Sequence, residues 1–260
     1  MVTGTWVHFS EADSSSLSEA WLRVTGTPPT LIGPNKLTPL SSNTRHSVGN
    51  ASTAGGAATA GGAFSAVYDD LPGELAPKLA LGFAAEAAGD TAWANRYFRL
   101  VWTVDRSCIS AAFGLARTCL AAGDRPGAIA ALAAVPETSS HHAAAQIAAV
   151  RILVSPGVTS SDLRQADGRL GRLTLDEARR QQLTVEILRA ALGWASSGQA
   201  PPSARRASGD GLILGCEPNE RALRFGLERG YRALARLTSD RDRRIELVDM
   251  ANAIRPKTWS

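Results

Sequence analysis

The side chains best suited to chemistry in this 260-residue chain are few and scattered. Three cysteines, Cys108, Cys119 and Cys216, make no CxxC pair and meet no histidine at zinc-ligand spacing. His141 and His142 are neighbours, and neighbours on a helix point about a quarter-turn or more apart, so they cannot chelate as an i, i+4 pair would. They read as helix-start residues. The run Gly209-Asp210-Gly211-Leu212-Ile213-Leu214-Gly215 has the spacing GxGxxxG and follows a loop, not a strand, so it reads as a loop and not as a phosphate cradle. There is no Gly-Lys dipeptide and therefore no Walker loop. No Ser/His/Asp set can be nominated from spacing. Catalytic residues, cofactor, metal and small-molecule substrate are accordingly all expected to be absent.

The cysteines themselves read as packing. Cys119 falls in an apolar helical stripe, where a thiol behaves as a small hydrophobe. Cys108 lies about one turn from Phe113; Arg106 is the one basic neighbour that could favour its thiolate. An odd number of cysteines without a pairing pattern points to a reducing compartment. Met1 to Ser16 lacks the basic start and apolar block of a secretion signal, and Arg151 interrupts the most apolar stretch, Ala143 to Val154. A cytoplasmic location without membrane contact is the expectation.

Net charge is +4, from 28 basic and 24 acidic residues, and the whole excess lies between Pro201 and Ser260. Arg221, Arg224, Arg232 and Arg236 could contact nucleic acid from one helix. Glu220, Glu228 and Asp240 are interspersed, which favours a solvated helix face instead. The hydrophobic fraction is 44% and aromatics only 6%, a balance that excludes a wholly disordered chain and favours close-packed helices over sheets.

What would position these residues is a repeat. Residues 1–54 are broken by Ser14-Ser15-Ser16, Pro28-Pro29, Gly33-Pro34 and Ser41-Ser42 and read as an irregular or disordered arm, with at most a short helix around Ser18 to Val24. From residue 55 a helical domain extends to residue 260. Gly55, Gly89 and Gly123 stand 34 residues apart. Ala60, Ala94 and Ala128 keep the same period, as do Phe64, Phe98 and Leu132, and Val67, Val101 and Val135. Gly89-Asp90 and Gly123-Asp124 supply tight turns, Leu81 pairs with Leu115 and Gly82 with Ala116. A period of 34 with this small/large pattern is that of tetratricopeptide helix pairs. The units run over about 55–72 (partial), 73–106 and 107–140. Small residues (Gly82, Ala94, Ala116, Ala128) let the helices of a pair approach, while Phe98 and Leu132 fill the groove between neighbours.

Further helices follow over His141 to Val154, Ser161 to Leu173, Thr174 (capping with Glu177) to about Ser197, a segment opening at Pro218, and Asp240 to Ile254 with Ser239 and Asp242 placed to cap. The expected fold class is all-α: a tetratricopeptide-like solenoid followed by a C-terminal helical bundle.

Several contiguous runs carry a resemblance. Leu71-Pro72-Gly73-Glu74-Leu75-Ala76-Pro77-Lys78-Leu79-Ala80, Ile109-Ser110-Ala111-Ala112-Phe113-Gly114-Leu115-Ala116-Arg117 and Leu247-Val248-Asp249-Met250-Ala251-Asn252 with Arg255-Pro256 resemble the C-terminal tetratricopeptide region of the actinobacterial protein kinase G family. The resemblance covers about four-fifths of the chain. It implies a serine/threonine kinase context in the control of carbon and glutamate metabolism, with this region as scaffold and self-association surface. The family's kinase residues have no counterpart. The chain holds no VAIK, HRD or DFG run and only three lysines, Lys36, Lys78 and Lys257, and it lacks the rubredoxin-like cysteine pairs.

The expected function is therefore non-catalytic binding of protein, either another copy or a kinase chain. In stacked repeats the first helix of each pair lines the concave side, which places Leu79, Phe83, Glu86, Phe113, Arg117 and Leu120 there. Leu79 and Phe113 could equally be inter-repeat core. Loss of upstream repeats would expose a stacking face around Phe64, Val67, Leu71 and Leu75 as a self-association surface. The alternatives are a part or in-trans partner of an active serine/threonine kinase, and a nucleic-acid-binding helix.

Overall fold

The computed structural model describes residue 62 and residues 73–197 and 211–256, and all that follows concerns these. They form nine helices and no strand: α1 (Leu75–Ala87), α2 (Thr91–Val104), α3 (Ile109–Ala121), α4 (Arg125–Ala133), α5 (His142–Leu153), α6 (Ser160–Arg172), α7 (Glu177–Ser196), α8 (Glu220–Leu237) and α9 (Arg241–Ile254). The chain is all-α, with tetratricopeptide-like packing of successive helices. It divides after Ala131 into two compact units.

In the first unit α1 packs on α2 and α2 on α3, with α1 also meeting α3. The turns that reverse the chain are the Gly-Asp pairs. Gly89 and Gly123 sit at φ +79° and +77°, where a side chain would be strained, and the following aspartates start the next helix. Asp90 accepts the Trp93 amide at 3.1 Å and Asp124 the Gly127 amide at 2.9 Å, so each turn satisfies an amide the helix itself leaves unpaired.

The groove between first helices is filled by Phe98 of α2, which is fully buried. Its ring lies against two glycines: a Cβ built on Gly82 would stand 2.8 Å from the ring, and one on Gly114 2.7 Å. α1 and α3 thus both press backbone against one aromatic ring. Ala94, Ala116, Ala128 and Leu132, the small and large positions of the 34-residue pattern, are buried as well.

In the second unit packing runs in chain order, α5 on α6, α6 on α7, α7 on α8 and α8 on α9. Gly226 and Gly230, one turn apart on α8, allow close approach. A Cβ on Gly226 would come 2.6 Å from the Cys216 Sγ, and one on Gly230 2.7 Å from the Val185 Cγ2. Arg151 of α5 reaches Glu186 of α7 through Nε at 2.9 Å and Nη2 at 3.0 Å. α6 opens on a reciprocal capping box between Thr159 and Asp162.

Three helix starts differ from the sequence expectation. Asp176, not Thr174, caps α7 by accepting the Arg179 amide, because the helix begins at Glu177 and places that amide within reach of Asp176. Asp240 caps α9 in place of Ser239 or Asp242; its carboxylate takes the amides of Asp242 and Arg243. Pro218 precedes the Asn219 cap of α8, so it shapes the entry and does not occupy the first turn. Pro256 lies just beyond α9, as expected.

Candidate protein-binding surface

The concave-side residues nominated from sequence lie on two helices that touch, Leu79, Phe83 and Glu86 on α1 and Phe113, Arg117 and Leu120 on α3. All six are half-buried. The two charged members turn to each other: Arg117 Nε and Nη2 donate to Glu86 Oε1 and Oε2, both at 2.7 Å, a bidentate fork between side chains 20% and 13% exposed. Charge on this face is thereby neutralised internally, and what it offers outward is chiefly the apolar edges of Leu79, Phe83 and Leu120. Phe83 also packs edge-on against Phe98, 5.1 Å between ring centroids, so part of its surface belongs to the core. Of the expected self-association face, Phe64, Val67 and Leu71 lie outside the described residues, and Leu75, the first residue of α1, is half-buried.

A second apolar surface was not nominated from sequence. α2 carries Trp93, Leu100 and Val104 at 49%, 41% and 65% exposure, with half-buried Tyr97 between the first two. The spacing i, i+4, i+7, i+11 aligns all four in one stripe, the spacing of a helix seam that meets another helix. Trp93 and Tyr97 stack at 5.8 Å between ring centroids, and the Arg96 guanidinium lies 5.0 Å above the Trp93 ring. By helical geometry Arg96 and Arg99 border the stripe on the side away from Ala94, Phe98 and Val101. No acidic residue lies within α2; Asp90 and Asp105 at its ends are held by cap and turn hydrogen bonds. The stripe is legible in the sequence as the heptad-like set Trp93, Tyr97, Leu100, Val104. The 34-residue register drew attention to Ala94, Phe98 and Val101 instead.

The basic helix is α8, and its arginines are partly engaged. Arg224 pairs with Glu220 at 2.8 Å and Arg232 with Glu228 at 3.2 Å, each four residues along the same helix. Arg221 and Arg236 make no ion pair among the described residues. Two of the four arginines that could have met phosphates are already partnered by carboxylates.

The thiols lie in the packed structure. Cys119 is buried and accepts a hydrogen bond from Asn95 Nδ2 at 3.4 Å, and burial pushes its thiol above the ordinary range against that stabilising contact. Burial also pushes up Cys108, the residue preceding α3, with the Asp105 carboxylate adding to the effect. His142 Nδ1 lies 2.9 Å from the Val135 carbonyl at the start of α5, consistent with a helix-start role. No group of three or more His, Cys, Asp or Glu side chains is gathered for a metal among the described residues. No helix among them is long and apolar enough to cross a membrane.

Comparison with known proteins explains the repeat. Residues 49–258 match the family described as Protein kinase G tetratricopeptide repeat. This chain belongs to that family. It is similar to the serine/threonine-protein kinase PknG of Mycolicibacterium smegmatis, with 39% identity over 197 residues that cover 74% of this chain and 25% of the relative. The same figures hold for the serine/threonine-protein kinase PknG of Mycobacterium leprae. The chain thus spans about a quarter of the length of these relatives. The match lies in the tetratricopeptide region of the kinase G family.

Proposed function

We infer that this chain is a non-catalytic protein–protein interaction module that binds a second copy of itself or a kinase chain. The observation that carries the reading is the exposed stripe of α2, since a contiguous apolar surface on a folded chain marks a site of association. The half-buried face of Leu79, Phe83, Glu86, Phe113, Arg117 and Leu120 is the second proposed contact, and the segment of Phe64, Val67, Leu71 and Leu75 the proposed self-association edge. A reducing cytoplasmic setting is part of the proposal and fits three free cysteines.

The test is sedimentation velocity over a concentration series, comparing the chain with a Leu100→Ser/Val104→Ser variant. The reading expects reversible association that the variant weakens. A monomer at every concentration up to tens of micromolar would remove the self-association half.

A second reading follows from the quarter-length match to serine/threonine kinases. The region would then work as part of, or in trans to, an active kinase that controls carbon and glutamate metabolism. Adding the chain to a purified kinase of this family would then change the rate of phosphoryl transfer. Phosphoryl transfer from ATP by the chain alone would contradict the non-catalytic proposal. Nucleic-acid binding through Arg221, Arg224, Arg232 and Arg236 is the weakest reading because Glu220 and Glu228 already hold two of the four.

A further inference from the structure

A cavity of about 280 Å³ opens in the second unit where α7, α8 and the 211–216 turn meet. Gln181, Thr184 and Leu188 of α7 form one wall and Leu214 and Cys216 of the turn another; α8 closes it with Arg229, Ala233 and Arg236. Gly226 and Gly230 complete the lining, where α8 backbone comes close to Cys216 and α7. No carboxylate lines the cavity among the described residues. Neither Arg229 nor Arg236 makes an ion pair among the described residues, and the Arg229 contact is a weak one, Nη2 to the Cys216 Sγ at 3.5 Å. The other polar groups are spoken for: Thr184 Oγ1 donates to the Arg180 carbonyl at 2.9 Å and Gln181 Nε2 to Glu177 at 2.8 Å.

Two further features set this place apart. Leu214 adopts φ +50°, the one described residue other than glycine in the left-handed region, a costly conformation for a branched side chain. It is held there by paired hydrogen bonds between Ile213 and Cys216, 2.9 Å each, and by its own amide donating to Asp167 of α6 at 3.0 Å. The strain aims a leucine at the cavity wall. Beside it, a second cleft is lined by Arg232, Ala235, Arg236, Arg244 and Val248 and shares Arg236 with the first; there Arg232 is held by Glu228 and Arg244 by the Thr238 carbonyl, which leaves Arg236 as the shared cation. Guanidinium groups gathered around concave surface without lining carboxylates raise the local concentration of anions, and the planar fork suits an oxyanion.

We propose that this cavity binds a small organic anion, with its carboxylate or phosphate on Arg229 and Arg236 and a short apolar stem against Leu188, Leu214 and Ala233. The combination of a concave apolar wall and a few convergent donors is that of a ligand site. This inference does not depend on the interaction reading: the cavity and the α2 stripe lie in different units.

The test is isothermal titration of the full chain, in low-salt buffer, with butyl phosphate, inorganic phosphate and butyramide. The inference expects saturable binding of butyl phosphate, weaker binding of inorganic phosphate and none of the neutral amide. Arg229→Gln and Arg236→Gln are each expected to weaken butyl phosphate roughly ten-fold or more, the cost of a lost hydrogen bond to a charged group. Arg221→Gln, an exposed arginine outside the cavity, is expected to leave it unchanged. Helical circular dichroism verifies that each variant is folded. Absence of saturable binding would overturn the proposal. So would an equal loss from Arg221→Gln, which would show a diffuse charge effect, or equal affinity for butyramide, which would show an apolar site.

Discussion

Gly114→Ala is the sharpest test of how the first unit is packed. Two effects of known sign oppose each other. Alanine is better than glycine in a helix interior by about 1 kcal/mol, and α3 runs through this position. Against that, the new Cβ would stand 2.7 Å from Cδ1, Cε1 and Cζ of Phe98, where ordinary contact is about 3.5–4.0 Å. The ring must therefore retreat by about 1 Å. It is fully buried, and Gly82 of α1 presses on the same ring, so retreat opens a gap or moves a helix. Overpacking of this kind costs about 1–3 kcal/mol, and the narrow space between the two glycines places Gly114→Ala toward the upper end. The net expectation is a loss of about 1–2 kcal/mol in urea unfolding followed by circular dichroism. A smaller ring-position residue should relieve the clash. Phe98→Leu alone destabilises by leaving a cavity, but the Gly114→Ala/Phe98→Leu double variant should lose about 1 kcal/mol less than the two single losses together. A stabilised Gly114→Ala, or strict additivity with Phe98→Leu, would refute the claim that α1 and α3 are spaced by this one ring.

Other expectations follow from the same contacts. Glu86→Gln leaves the half-buried Arg117 guanidinium without its fork and should cost about 1–2 kcal/mol, between the values for exposed and buried pairs, in the same urea assay. Asp90→Ala removes the N-cap of α2 and should cost about 1 kcal/mol, read as a lowered urea midpoint. Burial raises the thiols of Cys108 and Cys119, so the unfolded chain releases these protons first as pH rises. Their contribution is thus intact below the ordinary thiol range and is lost as pH climbs through the raised folded values. Between about pH 8 and pH 10 the chain should lose stability faster than a Cys108→Ala/Cys119→Ala variant does.

The sequence carried the repeat because its turns leave little freedom. Only glycine sits comfortably at φ +79° and +77°, and an aspartate next to it starts the following helix, so Gly89-Asp90 and Gly123-Asp124 mark the period wherever else the chain drifts. Buried Phe98 and Leu132 were legible for a similar reason, as each fills a groove that admits few alternatives. Gly114 was missed because it falls outside the 34-residue register: the counterpart of Gly82 is Ala116, yet the Phe98 ring meets both helices and needs a glycine on the second two residues earlier. Caps were misplaced by one or two residues at Asp176 and Asp240, since several carboxylates and hydroxyls compete near each helix start and the winner depends on which amide comes within reach. The run Gly209 to Gly215 was legible as a loop, but the positive φ of Leu214 within it had no signal. A leucine at positive φ runs against local preference and is held by Asp167, 47 residues away.

For the binding surface, residue types spoke clearly and partnerships did not. Glu86 and Arg117 were visible as charges on the first helices of successive pairs, but their mutual fork is a distance that no one-dimensional pattern encodes. The α2 stripe was encoded in spacing, yet exposure separates it from core, and exposure depends on which neighbour covers which side of the helix.

The central claim is that this region works by presenting α2 to another protein surface. Hydroxyl-radical footprinting of the full chain across a concentration series addresses it directly, because Trp93 is half-exposed while Trp102, on the same helix, is buried and serves as an internal control. The account predicts that oxidation of Trp93 falls as association rises, with Trp102 unchanged. Association that leaves Trp93 oxidised equally at every concentration would place the interface elsewhere and contradict the account.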